Sequence, residues 1–414
     1  MFRAFQFSAL LLWFACGAAA QTPAPSDQPL TLRQAVVEVL ERNPELAALR
    51  REYDAARAAP AQERFLPSPM FETEIWQWPV TTPNPLRTEM YMFTAEQQLP
   101  GRGKRAARVL VGERDVDVSR RQIALRANAV LNELKQAFVD LSLAREQTAL
   151  YQQQAALLDD VAEATALRYA GGQGVQHHTV ATLVEVTRLQ QERIVLDERI
   201  QQAEARLNTL LGRPVAQPIE ILAEIRESVP VSDAERIALE RHPDIALAAA
   251  MIAREEAELA RLRGERRPDF VIGGGYMLMP GEAGAWTARA GITWPNAPWS
   301  RGRLDASADA QTKRVEAAKA RRIAVAASVR QSVRQALIRV AAAERQAQLI
   351  ESTVLPQVEH AFELARVGYT GGEGAFSDVL DSQRMLLTTR LQYTEARANL
   401  ARAKADLETA VGEL

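Results

Sequence analysis

The sequence predicts a mainly α-helical protein with a smaller transmembrane β portion. Long antiparallel coiled-coil helices and four strands per chain form one unit that is written twice. Three observations predict this. No Gly or Pro occurs from Glu113 to Ala170, a run of 58 residues. Landmark segments recur about 200 positions apart. One segment alternates apolar and polar residues between Trp286 and Trp294.

The 414 residues are 47% hydrophobic and 25% charged, with a net charge of −2. That apolar fraction excludes a disordered chain, and the near-neutral charge argues against a nucleic-acid binder. One Cys and four His leave no disulfide framework and no metal-ligand spacing. No Ser-His-Asp set or nucleotide loop occurs, so no enzyme, cofactor or resident metal is expected. Gly273-Gly274-Gly275 leads into no helix that could hold a phosphate.

Residues 1–20 read as a secretory signal. Arg3 precedes a short apolar run, and Ala18-Ala19-Ala20 offers the cut. Cys16 gives a second reading, as an acylated lipoprotein cysteine. No stretch has 18 consecutive apolar residues, so any span must be built from strands. Residues 21–30 form a linker.

The repeat follows. Leu40-Glu41-Arg42-Asn43-Pro44 returns as Leu239-Glu240-Arg241-His242-Pro243. Arg102-Gly103-Lys104 returns as Arg301-Gly302-Arg303, and Tyr169 to Gly174 as Tyr369 to Gly374. Two units result, 31–225 and 226–414. In the first, strands lie at about 70–98 and long helices at about 103–170 and 175–211. In the second, strands lie at about 269–294 and long helices at about 303–367 and 375–411. Each unit opens with a short helix, capped by Thr31 in one and by Ser232 or Asp233 in the other. The second long Gly- and Pro-free run stops before Pro356. The closing helices end at Gly212 and Gly412, as glycine terminators do. Leu189, Leu196, Ala203 and Leu210 form a seven-residue seam, and Leu386, Tyr393, Leu400 and Leu407 form its counterpart.

The strands carry the membrane argument. Trp286, Ala288, Ala290, Ile292 and Trp294 make an apolar face with an aromatic at each end. Lipid outside, water inside and aromatics at the interfaces ask for that pattern. Four strands cannot close a barrel, and lipid tolerates no open edge. A spanning sheet therefore requires several chains.

The sequence resembles the TolC family of outer-membrane channel proteins. The resemblance rests on Leu30 to Ala35 with Asn43-Pro44-Glu45-Leu46, Leu99-Pro100-Gly101-Arg102-Gly103-Lys104, and Arg206 to Gly212. Arg267-Pro268-Asp269-Phe270, Gly368 to Gly374 and Asp378-Val379-Leu380-Asp381 carry it in the second unit. The Pro-Gly-Arg-Gly-Lys stretch and the short tips look most like the heavy-metal branch, CzcC-like and CusC-like. The resemblance implies a homotrimer with a twelve-stranded barrel in the outer membrane and an α-helical tunnel in the periplasm. It implies a tripartite efflux pump, with a periplasmic adaptor and an inner-membrane RND-type transporter as partners. A multidrug or type I secretion channel shares most of the motifs. A soluble periplasmic coiled-coil scaffold is the alternative of another class.

The resemblance also implies residue roles. Tyr169, Gly171, Gly172 and Gly174, with Tyr369, Gly371, Gly372 and Gly374, would form adaptor-contacting tips; positive φ in a tight reversal also accounts for the glycines. Asp378 and Asp381, one turn apart, would form the channel constriction, though Asp378 could instead cap its helix. His177 and His178 offer a tip contact for protons or metal, or a merely solvated surface. Trp286 and Trp294 would sit in the membrane's aromatic girdle.

Overall fold

The computed structural model describes residues 29–76, 81, 84, 88–170, 176–222, 233–371 and 373–412. The signal segment and Cys16 lie outside these residues, as do Gly171, Gly172, Gly174 and Gly372.

The first unit runs β1 (Leu30–Thr31), α1 (Leu32–Arg42), α2 (Pro44–Gln62), β2 (Met70–Trp76), β3 (Met90–Leu99), α3 (Lys104–Ala170), α4 (Gln176–Leu211) and β4 (Ile221–Leu222). The second runs α5 (Ala234–Arg241), α6 (Pro243–Gly264), β5 (Phe270–Leu278), β6 (Ala285–Ile292), α7 (Arg301–Leu349), a π-helical turn (Ile350–Val354), α8 (Leu355–Gly371) and α9 (Phe376–Val411). The order helix, helix, hairpin, long helix, long helix is thus present twice. At 67 residues, α3 is about 100 Å long.

Thr31 caps α1 as the sequence indicates. Its hydroxyl accepts the Gln34 amide, and the Gln34 side chain accepts the Thr31 amide. Two expectations are corrected. Leu30 is not linker: it is buried and pairs in parallel with Ile221, tying the unit's start to its end. Of the two cap candidates, Ser232 lies outside the described residues, and Asp233 makes no side-chain cap but pairs with Arg236 instead. Pro356 lies inside the long helix expected over about 303–367, and the helix does pass through it. The π turn just before it absorbs the lost hydrogen bond, so the helical path continues to Gly371.

The two cores repeat residue for residue. Val130, Leu134, Ala137 and Leu141 of α3 pack with Leu207 and Leu211 of α4 against Ala35 and Val39. Val329, Val333, Ala336 and Val340 of α7 pack with Leu407 and Val411 of α9 against Ala234 and Ala238. Several second-unit positions are smaller, Val for Leu or Ala for Val, so those helices lie against a thinner core.

Within each unit two helices stack end to end. α4 stops at Gly212 (φ 68°) against Arg42, and α9 stops at Gly412 (φ 80°) against His242 and Pro243. One side chain clasps each joint. Asn43 accepts the Glu45 and Leu46 amides and donates to the Leu210 carbonyl at 2.9 Å. His242 takes this place in the other unit: Nδ1 accepts the Asp244 amide at 3.2 Å, and the ring lies near the Thr409 backbone.

Burial pushes the His242 imidazole below its ordinary value. Protonation would also turn Nδ1 into a donor facing the Asp244 amide. A base whose folded value is depressed contributes stability that is full above its unfolded value, about 6.5, and is lost as pH falls below it. Lowering the pH from about 7 to 5 should therefore lower the unfolding temperature of the wild type. His242→Asn, which copies the Asn43 clasp, should keep the neutral-pH midpoint and flatten the slope. Thermal melts at both pH values check this, and equal slopes would contradict it.

Candidate functional site

Two regions bear on function: the four-stranded sheet at one end of the long helices and the helix reversals at the other.

The sheet has the order β2-β3-β5-β6 and is antiparallel throughout. Its register sorts the side chains cleanly. Phe71, Ile75, Tyr91, Phe93, Ile272 and Ala290 share one face, which is otherwise apolar apart from Thr73 and Gln97. Every charged strand residue, Glu72, Glu74, Glu96 and Arg289, stands on the other. Trp286 lies on the apolar face near the distal end of β6 and packs on Tyr276, with ring centroids 5.1 Å apart. Trp294 falls outside the strand: β6 ends at Ile292, and Trp294 meets Trp299 edge-on in the following turn, at 5.9 Å. The two tryptophans still mark opposite ends of β6, and both are exposed.

The sheet joins the helices through two motifs, one from each unit. Lys104 begins α3 and is buried, its side chain 2% exposed. Its ammonium meets Asp269 at 2.8 Å and Glu265 at 3.1 Å. Asp269 also accepts the Gly101 amide at 2.7 Å, and Arg267 donates to the Arg102 carbonyl. A Cβ on Gly101 would collide with the Pro268 carbonyl. The Leu99 to Lys104 and Arg267 to Phe270 segments are therefore one interlocked structure. Sequence reasoning used both as landmarks and did not find their contact, which spans 165 positions.

At the tip, α9 opens with Ala375 as N-cap and no side-chain cap, so Asp378 does not cap the helix. Phe376, Val379 and Leu380 are buried, whereas Asp378 and Asp381 share the exposed face. Phe376 and Leu380 pack with Leu158 of α3 and Leu189 of α4, so the second hairpin rests on the first. Tyr369 leans on the Phe376 ring at 5.5 Å. The described tip glycines lack positive φ. Gly374 is needed for close approach instead: its amide donates to the Gly368 carbonyl at 3.0 Å, and a Cβ would press on the Tyr369 nitrogen.

An ion-pair chain crosses this contact. Asp381 accepts from Arg384 at 3.2 Å, and Arg384 reaches Glu185 of α4 at 2.8 Å. The hydrogen bond to Glu185 holds the Arg384 guanidinium above its ordinary value. Glu185 and Arg384 lie 199 positions apart, close to the repeat spacing. Opposite charges at near-equivalent positions were a usable signal in the sequence, and it was missed. His177 is exposed in the first turn of α4; the side chains of His178 and Tyr169 lie outside the described residues. Among the described residues, no group of three His, Cys, Asp or Glu side chains could hold a metal. No helix among them is long and apolar enough to cross a membrane.

The comparisons agree with this architecture. The cobalt-zinc-cadmium resistance protein CzcC of Cupriavidus metallidurans is 25% identical over 396 residues, covering 94% of this chain and 92% of that protein. The pyoverdine export outer membrane protein OpmQ of Pseudomonas putida is 30% identical over 226 residues, covering 51% and 47%. Among solved structures, the outer-membrane channel OprN matches with a TM-score of 0.76 at 18% identity, over 92% of this chain and 89% of that one. CusC matches equally, at 0.76 and 18%, over 92% and 91%. VceC of Vibrio cholerae matches at 0.74 and 17%, over 92% and 96%. These likenesses show the fold: long helical hairpins beneath a small sheet. The model of the outer membrane efflux proteins matches residues 35–213 and again 236–413. Two matches of one family, covering most of the chain and coinciding with its two structural units, place this protein in the outer membrane efflux protein family.

Proposed function

We propose that this chain is the outer-membrane exit duct of a tripartite pump, and that it passively conducts heavy-metal cations across the periplasm and outer membrane. The observation that carries the proposal is the two-faced sheet with two open edges. Among the described strands, β2 and β6 each have one neighbour, and an edge left open in lipid is costly. Three copies would supply twelve strands and close the ring. The same closure would bring α4 of one copy beside α7 and α8 of the next, covering exposed Ile194 and Leu183 on one side and Ile323 and Leu364 on the other. Tyr369, Gly371 and Gly374 would then belong to a ring of tips presented to a periplasmic adaptor. Asp378 and Asp381 would form two rings of three carboxylates, which narrow a pore and favour cations. The metal cargo is supported by the relationship to the cobalt-zinc-cadmium resistance protein over nearly the full length of both chains.

The test has two parts. Detergent extraction of the outer membrane should yield a particle with the mass of three chains. Cells lacking the protein should accumulate more cobalt, zinc or cadmium than complemented cells. A monomer released with the periplasm would favour a soluble scaffold. A three-chain membrane particle whose loss leaves all three metals unchanged would keep the duct and overturn the cargo.

A further inference from the structure

The sheet contains an ion pair that skips a strand. Glu96 lies on β3 and Arg289 on β6, with β5 between them. The three strands place Glu96, Gly273 and Arg289 in one row on the polar face. Strands lie about 4.8 Å apart, so the outer two backbones of this row are roughly 10 Å apart. Arg289 Nη1 nevertheless reaches Glu96 Oε1 at 2.5 Å. It can because the middle residue has no side chain. A Cβ on Gly273 would stand 2.9 Å from the Ala95 carbonyl oxygen and 3.0 Å from Glu96 Cγ, in the space beside the pair. Gly275, two residues on and on the same face, is equally tight, with a Cβ 2.6 Å from the Phe93 carbonyl oxygen. The guanidinium crosses the sheet over this glycine floor.

Among the described residues, Glu72 and Glu74 on β2 are the only other charged strand residues on this face. Glu74 accepts the Trp76 indole N–H at 2.8 Å, which orients its carboxylate without neutralising it. One carboxylate of the face therefore has a fixed counter-charge, and two have none within the strands.

We infer that Arg289 is a specificity-determining residue of the membrane portion. Held across Gly273, it neutralises Glu96 and sets how strongly the bore prefers cations. The inference rests on the proposed duct, in which the polar face lines the lumen. Fixed charges on a water-filled bore with low-dielectric walls bias which ions enter, and salt screens them.

The test is ion selectivity in planar bilayers under a gradient of about 10 to 100 mM KCl, where the Debye length is about 10–30 Å. Asp378→Ala/Asp381→Ala serves as the parent, so that the tip does not dominate the filtering. Arg289→Gln should raise the potassium-to-chloride permeability ratio by about twofold, because Glu96 is unmasked. Glu96→Gln should lower it, because Arg289 is unmasked. The double variant Arg289→Gln/Glu96→Gln should return close to the parent. Conducting channels in which neither single variant moves the ratio, or both move it the same way, overturn the inference and leave the duct standing. A parent that forms no channel overturns the duct, and the inference with it.

Discussion

Lys104→Met should destabilise the protein by about 3 kcal/mol, the low end of what breaking a buried ion pair costs. The estimate follows from geometry. Lys104 is buried, and its ammonium faces two carboxylates at 2.8 and 3.1 Å. Methionine keeps the volume and removes the charge. Asp269 would then lose its ion-pair partner, and Glu265 would keep only Arg261 at 3.4 Å and Arg108 at 3.7 Å, in a part-buried pocket with side chains 37% and 24% exposed. That exposure lets water offset some of the cost, hence the low end. Asp269 also accepts the Gly101 amide, so the turn leading from β3 into α3 would loosen with it. The effect should be specific to this joint, where the sheet and helices of both units meet. Lys104→Arg should cost less, because the charge survives although the pocket is tight. Denaturant unfolding followed by circular dichroism measures both. Equal midpoints for wild type and Lys104→Met would show that the pair contributes nothing net.

Removing the tip carboxylates should enlarge the ion current at least about twofold. In the proposed trimer, Asp378 and Asp381 would face the axis, one turn apart, and Asp378 has no capping duty to lose. Asp381 is held by Arg384, which is anchored to Glu185, a side chain only 9% exposed. The carboxylate is thus fixed to the neighbouring hairpin as well as to its own helix. Arg384→Ala should act by another route. It would leave Glu185, 9% exposed, with only the longer Arg188 contact at 3.8 Å, and the burial penalty of that charge would favour parting of α9 from α4. Both variants should raise conductance. Only the double aspartate variant should also reduce cation preference, because Arg384→Ala leaves the rings charged.

The sequence made the architecture legible wherever a single local rule applied. Runs without Gly or Pro marked the long helices, glycine terminators marked Gly212 and Gly412, and alternation marked the strands. It failed where a rule was overridden by a neighbour distant in sequence. Gly112 breaks the Gly-free run, yet α3 begins at Lys104, close to the expected start at about 103, and passes through it. A Cβ at Gly112 would press on Pro60 of α2 at 2.9 Å, so this glycine serves helix contact rather than termination. Pro356 interrupts the Gly- and Pro-free run inside the helix expected over about 303–367, and a π turn carries the helix past it. Trp294 fits the alternation of β6 on paper, but the strand ends two residues earlier, where Trp299 gives it a partner. Site residues divide the same way. Asp378 and Asp381 were found through a contiguous motif. Glu185, Arg384, Lys104 and the Glu96–Arg289 pair were not, because each acts through a partner at least 160 positions away.

The most direct measurement is single-channel conductance of the purified oligomer in planar bilayers, comparing wild type with Asp378→Ala/Asp381→Ala. A membrane duct closed by its tip carboxylates predicts small, cation-preferring wild-type currents that grow, with weaker preference, in the variant. Unchanged currents would remove the carboxylates from the constriction. No insertion at all by a well-folded oligomer would contradict the duct itself.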